Sequence, residues 1–275
     1  MRVFLISSAM VILFLLPDVA EVKNWTLPGI INTLTFIPHA GLGYMTVFFH
    51  ELGHTVTSWS YGELAIPAFN FRDGGGVSVP IFPRTWILQA PIYAGAAFLC
   101  WVLWSDGYYG LLMSFLALLA VHAGFSTGEH YILPVNYMGN GGAVVMGCFC
   151  IYRAALNKVV SGAGNFLERY MHMIFGLFAV FGKCGLILAW QLMASDIARS
   201  AYNEGIGETH MANDFTVLAD RLNCKLEHIG AFHMLFTLFS LAVMGWLIFA
   251  GWQAEQEARE DEKADILRRI PPRKS

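Results

Sequence analysis

Long apolar runs separated by short polar stretches order this chain from its first residues onward. Residues 3–17 form the first run, directly behind Met1-Arg2. It is short for a membrane span, which needs about 20 mostly apolar residues to cross about 30 Å of hydrocarbon. Cleavage after Ala20 would put Asp18 at position −3, which suits a signal-peptide cut poorly, so an uncleaved first span is expected. A second run starts near Leu27-Pro28 and ends near Tyr61-Gly62. It fits one tilted helix, or two pieces broken around Pro38 and Gly41-Leu42-Gly43. Further apolar helices are expected at about 85–104, 109–126, 138–156, 170–194 and 229–252. That makes six spans without the first segment and seven with it.

Between residues 63 and 83 the period changes. Ala68-Phe69-Asn70-Phe71-Arg72, then Asp73-Gly74-Gly75-Gly76, then Val77-Ser78-Val79-Pro80 read as two strands around a turn. Residues 195–228 are polar and mixed, as an aqueous loop would be, and 253–275 are dense in charge. The pattern predicts an all-α polytopic membrane protein with a short membrane-associated β-hairpin. Its body spans 1–252 and its charged C-terminal tail 253–275.

Composition strengthens this class. Of 275 residues, 56% are hydrophobic and 13% charged, against roughly 25% charged in soluble domains. The lipid bilayer is therefore the expected surrounding. The net charge of −3, with no basic stripe through the folded part, argues against a nucleic-acid partner. The five cysteines are scattered and form no CxxC pair, which reads as small buried hydrophobes rather than a disulfide framework. Lys and Arg concentrate in the tail, so the positive-inside rule puts it in the cytoplasm, with the 153–169 loop on the same side. The hairpin and the 195–228 loop then fall on the other face.

The candidate chemistry lies in the second run, at His50-Glu51-Leu52-Gly53-His54. On a helix, His50 and His54 stand one turn apart on one face, where both imidazoles can bind one zinc ion. Glu51 lies beside that face as a general base for a zinc-activated water. Ionisable groups inside an apolar run cost several kcal/mol unless paired or metal-bound, which favours a functional reading.

Phe48-Phe49-His50-Glu51-Leu52-Gly53-His54, in a hydrophobic helix followed by a Gly-bearing hairpin, resembles the site-2 proteases, intramembrane zinc metalloproteases that cut transmembrane segments. The resemblance extends through Tyr61-Gly62 and Asp73–Gly76 to Leu133-Pro134 and Gly141-Gly142, covering roughly residues 45–155. It implies a Zn2+-dependent endopeptidase acting on transmembrane or membrane-proximal protein substrates, in a bacterial inner membrane. It also implies a third zinc ligand, the Asp of an Asp-Gly pair, at the position where this chain carries Asn140-Gly141. The third ligand is thus left between Asn140 and a nearby replacement, with His130 first and Glu129 and His122 behind it. If none serves, the chain is a non-proteolytic zinc-binding relative. Asn136 and Asn140 are candidate oxyanion or substrate contacts.

Other polar residues read as structural. Asp73 suits a hairpin turn. His172 and His233 suit hydrogen-bonded positions inside a bundle. Lys183, in the middle of a run, needs an interior partner or a site.

Overall fold

The computed structural model describes residues 2–23, 25–70, 75–157, 165–194, 196, 199–200, 202 and 213–269. It is mostly helical, with one small sheet. The helices are α1 (Arg2–Lys23), α2 (Gly29–Ser60), α3 (Trp86–Ser105), α4 (Tyr109–Phe125), α5 (Ile132–Ala155), α6 (Asn165–Phe181) and α7 (Leu186–Ala194). A short helix, α8 (Asp214–Leu222), precedes the long α9 (Leu226–Arg269). Strands β1 (Leu64–Asn70) and β2 (Gly75–Phe82) pair antiparallel, from Asn70 opposite Gly75 to Leu64 opposite Phe82. The expected hairpin is therefore present, and its tip at Asp73 lies outside the described residues. So do the 203–212 stretch and the last six residues of the tail.

Four segments are long and apolar enough to cross a membrane: Val3–Ala20, Trp86–Ser105, Asn165–Ala194 and Leu226–Lys263. The Asn165–Ala194 segment contains α6 and α7, broken at Gly182-Lys183-Cys184-Gly185. Six or seven spans are not reached on this criterion. Helix α4 has only 17 residues, and α2 and α5 are long enough but carry many polar and glycine positions. In α2 the buried side is Thr35, Thr46, Glu51, His54, Thr55 and Ser58, with Leu42, while Ile30 and Ile37 are 72% and 78% exposed. Such an inverted distribution costs free energy in water and none in hydrocarbon.

The core forms around α6, whose residues from Met173 to Val180 are all buried, the mark of an interior helix. Val11, Phe14 and Leu15 of α1 pack into this core with Val144, Cys148 and Ile151 of α5. Helix α1 is thus an integral part of the packed body. Its buried Asp18 meets His39 of α2 at 3.4 Å and Lys183 at 3.6 Å, which gives Lys183 the interior partner its position required. His233 is fully buried between the Cys184 carbonyl (2.8 Å) and the Tyr137 hydroxyl (3.1 Å), and His172 meets the Glu168 carbonyl at 2.9 Å.

Helices α2 and α5 cross closely because small residues face each other there. A Cβ on Gly53 would come within 2.0 Å of the Met138 carbonyl oxygen, and one on Gly142 within 2.8 Å of Gly53 Cα. This crossing brings the first half of α5 against the His50–His54 turn. Helix α8 docks on α5 through Phe215 and Leu218, which are 0% and 3% exposed, with the Phe215 ring stacked on Tyr137.

Candidate metal centre

Helix α2 presents His50 and His54 with ring centroids 4.7 Å apart and their Nε2 atoms 3.1 Å apart. Asp214, the first residue of α8, closes the group. Its Oδ2 lies 2.9 Å from His50 Nε2 and 3.1 Å from His54 Nε2. The three atoms form a near-equilateral triangle. Donors about 2.0–2.1 Å from a tetrahedral ion stand about 3.3–3.4 Å apart. A small outward spread of this triangle therefore admits a divalent ion. Among the described residues, His50, His54 and Asp214 are the group able to hold a metal ion.

The hydrogen bonds sharpen this reading. His54 Nδ1 lies 2.7 Å from the Val135 carbonyl oxygen, an acceptor only, so Nδ1 carries the proton and donates it. That leaves a lone pair on His54 Nε2, facing the Asp214 carboxylate oxygen at 3.1 Å. Two acceptors at that distance repel unless a cation lies between them, and the arrangement suits a shared metal ion. The Val135 carbonyl then fixes ring and tautomer from behind, as outer partners of metal-bound imidazoles do. Burial pushes the Asp214 carboxyl up, but the facing imidazoles, His50 first at 2.9 Å, outweigh this. The net effect holds it well below the usual carboxylate range, ionised and ready to ligate.

Glu51 stands just outside the triangle. Its Oε1 lies 3.9 Å from His50 Nε2, the residue is 4% exposed, and Oε2 has no hydrogen-bond partner among the described residues. A buried carboxylate oxygen with an unused lone pair, next to three candidate ligands, is placed to accept a proton from water at an ion held there. Strand β2 covers this carboxylate. A Cβ on Gly76 would fall 2.4 Å from Glu51 Cγ, so only glycine fits there. Glu51, His54 and Asp214 open onto a cavity of about 340 Å³, walled by β2 on one side and by Val135 and Asn136 of α5 on another.

Gly139 of α5 abuts the imidazoles, and a Cβ there would come within 2.3 Å of His54 Nε2 and 2.7 Å of His50 Cε1. Gly139→Ala is therefore expected to lower metal affinity at least about tenfold, the scale of a displaced ligand support. Gly245→Ala, where a Cβ meets nothing within 4 Å, serves as the control and should leave affinity unchanged. Competition with a chromogenic chelator checks both.

The expected ligand pair and Glu51 thus lie together, but the third position differs from expectation. Neither His130 nor Asn140 joins the group; Asp214 does. His130 is exposed in the turn after α4, a turn that Arg84 ties down through the Ser126 and Gly128 carbonyls. Asn140 is buried on α5, but Gly139 is the residue against the imidazoles, and the next residue turns about 100° around the helix. Asn136 lines the cavity, whereas Asn140 is not among its lining residues. Glu129 is exposed and pairs with Arg221 at 3.9 Å. His122 stacks on Tyr61 with centroids 4.3 Å apart. Cys184, one of the scattered cysteines and buried as expected, lies in the break between α6 and α7 with its thiol beside His50.

Asp214 carried one readable signal. Phe215, Leu218 and Leu222 recur at helical spacing in an otherwise polar loop, marking a helix that docks by one face and brings its first residue inward. Compared with family models, with curated proteins and with solved structures, the chain matches none.

Proposed function

We propose that this chain is a membrane-embedded zinc-dependent endopeptidase, similar to the site-2 proteases, that hydrolyses peptide bonds of transmembrane or membrane-proximal substrates. The observation that carries the reading is the His50–His54–Asp214 triangle with Glu51 beside it, whose Oε2 has no hydrogen-bond partner among the described residues, facing a cavity edged by a strand. Two imidazoles and one carboxylate are the donor set of many hydrolytic zinc sites that keep a fourth position open. When bound, zinc supplies an acidified water and polarises a carbonyl. Glu51 takes the proton of the attacking water and passes it to the leaving amine nitrogen. Val135 holds the tautomer of His54, and Asn136, on the cavity wall, offers an amide to the developing oxyanion.

An extended substrate backbone is accommodated as a further strand beside β2, a general mode of peptide presentation. Seven crossings accompany this reading, adding α2, α4 and α5 to the four long apolar segments, with the tail in the cytoplasm of a bacterial cell. The alternative is a zinc-binding membrane protein without peptidase activity.

The two readings part in one experiment. Purified protein in liposomes, offered a library of membrane-inserted peptides, is expected to release fragments. Release should stop with a chelator and resume on adding zinc. A preparation that keeps one zinc per chain yet cuts no peptide contradicts the endopeptidase reading.

A further inference from the structure

The cavity beside the metal group is lined by three carboxylates, Glu51, Glu63 and Asp214, and by no Lys or Arg. Two of these have work at the metal, Asp214 as ligand and Glu51 as proton carrier. Glu63 has none. Among the described residues no ion pair reaches it, and its side-chain contact is the Tyr131 hydroxyl at 3.5 Å. Arg84 lies over the Tyr131 ring at 4.7 Å and is committed to the carbonyls of Tyr61, Ser126 and Gly128. Among the described residues, then, no cation pairs with Glu63, and the deep end of the cavity holds a second carboxylate, Glu51, whose buried Oε2 meets no hydrogen-bond partner there either.

The distance between the two ends can be read along two elements. On β2, Gly76 covers Glu51, while Pro80, at the other end of the same wall, lines the cavity with Glu63. Four strand steps span about 13 Å. On α2, the Ser58 carbonyl accepts from the Glu63 backbone N–H at 3.0 Å, and the seven residues from Glu51 to Ser58 rise about 10 Å. The Thr55–Ser78 hydroxyl contact, at 3.0 Å, ties α2 to β2 between these ends. A peptide lying along β2 with one residue at Glu51 therefore brings a residue about four positions away to Glu63. An offset of four keeps both side chains on one face of the strand.

We propose, resting on the endopeptidase reading above, that Glu63 is a specificity-determining carboxylate selecting substrates with a Lys or Arg about four residues from the bond that is cut. The basic side chain supplies a counter-charge to Glu63 in a partly enclosed slot, where such pairs discriminate between partners.

The test walks a single lysine through an otherwise neutral apolar peptide and reads cut sites and rates by mass spectrometry, in detergent with zinc-loaded protein. Lysine three to five positions from the cut, on one side, is expected to raise the rate about tenfold over norleucine there. Glu63→Gln should flatten this ratio, and Glu63→Lys should shift the preference to glutamate. Affinities of the same peptides for the uncut complex with Glu51→Gln protein should follow the same order, and zinc content checks that each variant is folded. Equal rates for all lysine positions, or a lysine preference that survives Glu63→Gln, overturn the role of Glu63 while the endopeptidase reading stands. No cleavage of any peptide by the zinc-loaded wild-type protein removes the reading itself, and this inference with it.

Discussion

Glu51→Gln is expected to lower peptide cleavage by about a hundred- to ten-thousand-fold and to leave the bound metal in place. The magnitude is that of removing a positioned general acid–base group. The substitution keeps the shape of a side chain that is 4% exposed and enclosed by Gly76, so the packing around it survives. Metal retention follows from geometry: His50, His54 and Asp214 supply the triangle, and Glu51 stands 3.9 Å from its nearest nitrogen. Single-turnover cleavage together with metal content measures both halves. A Glu51→Gln protein that cuts at the wild-type rate removes Glu51 from the chemistry.

Asp214→Ala is expected to lower metal affinity by more than about 100-fold, beyond the 10–100-fold that removing an outer partner of a ligand costs. Helix α8 should nevertheless stay docked, since Phe215 and Leu218 remain buried against α5. The loss is then one of ligation rather than of folding. Asp214→Asn, which keeps the oxygen but loses the charge, should fall between the two. Chelator competition gives the affinities, and hydrogen exchange across residues 214–222 reports the docking. Wild-type affinity in Asp214→Ala would remove it from the ligand set, and unprotected amides there would make the effect structural.

Most of the helical frame was legible in the sequence because its signals are local. The i, i+4 spacing of His50 and His54 puts both rings on one face of any helix, whatever surrounds it. The hairpin followed from strand-forming residues around a glycine-rich turn, and it covers Glu51 as strands β1 and β2. The count of spans was harder to read. Four segments qualify by length and apolarity, and α2 and α5, whose polar and glycine residues form the candidate site and its close crossing, fall outside that criterion. The third member of the candidate metal group was not legible by spacing at all. Asp214 lies 160 residues beyond His54, and what brings it back is the docking of α8 on Tyr137 of α5. Asn140 drew attention through a motif, yet Gly139 faces the imidazoles, because a single step along a helix turns a side chain away by about 100°. Lys183 likewise found its partner, Asp18, in a helix from the other end of the chain.

The central claim is that His50, His54 and Asp214 together hold one zinc ion. X-ray absorption at the zinc edge of the purified, zinc-loaded protein tests it most directly. With one zinc per chain by elemental analysis, the expected spectrum shows two imidazoles and one carboxylate oxygen at about 2.0–2.1 Å, and no sulfur shell at about 2.3 Å from the neighbouring Cys184. In Asp214→Ala protein reconstituted at saturating zinc, the carboxylate contribution should vanish while both imidazoles remain. A wild-type shell with fewer than two imidazoles, or one that Asp214→Ala leaves unchanged, contradicts the account.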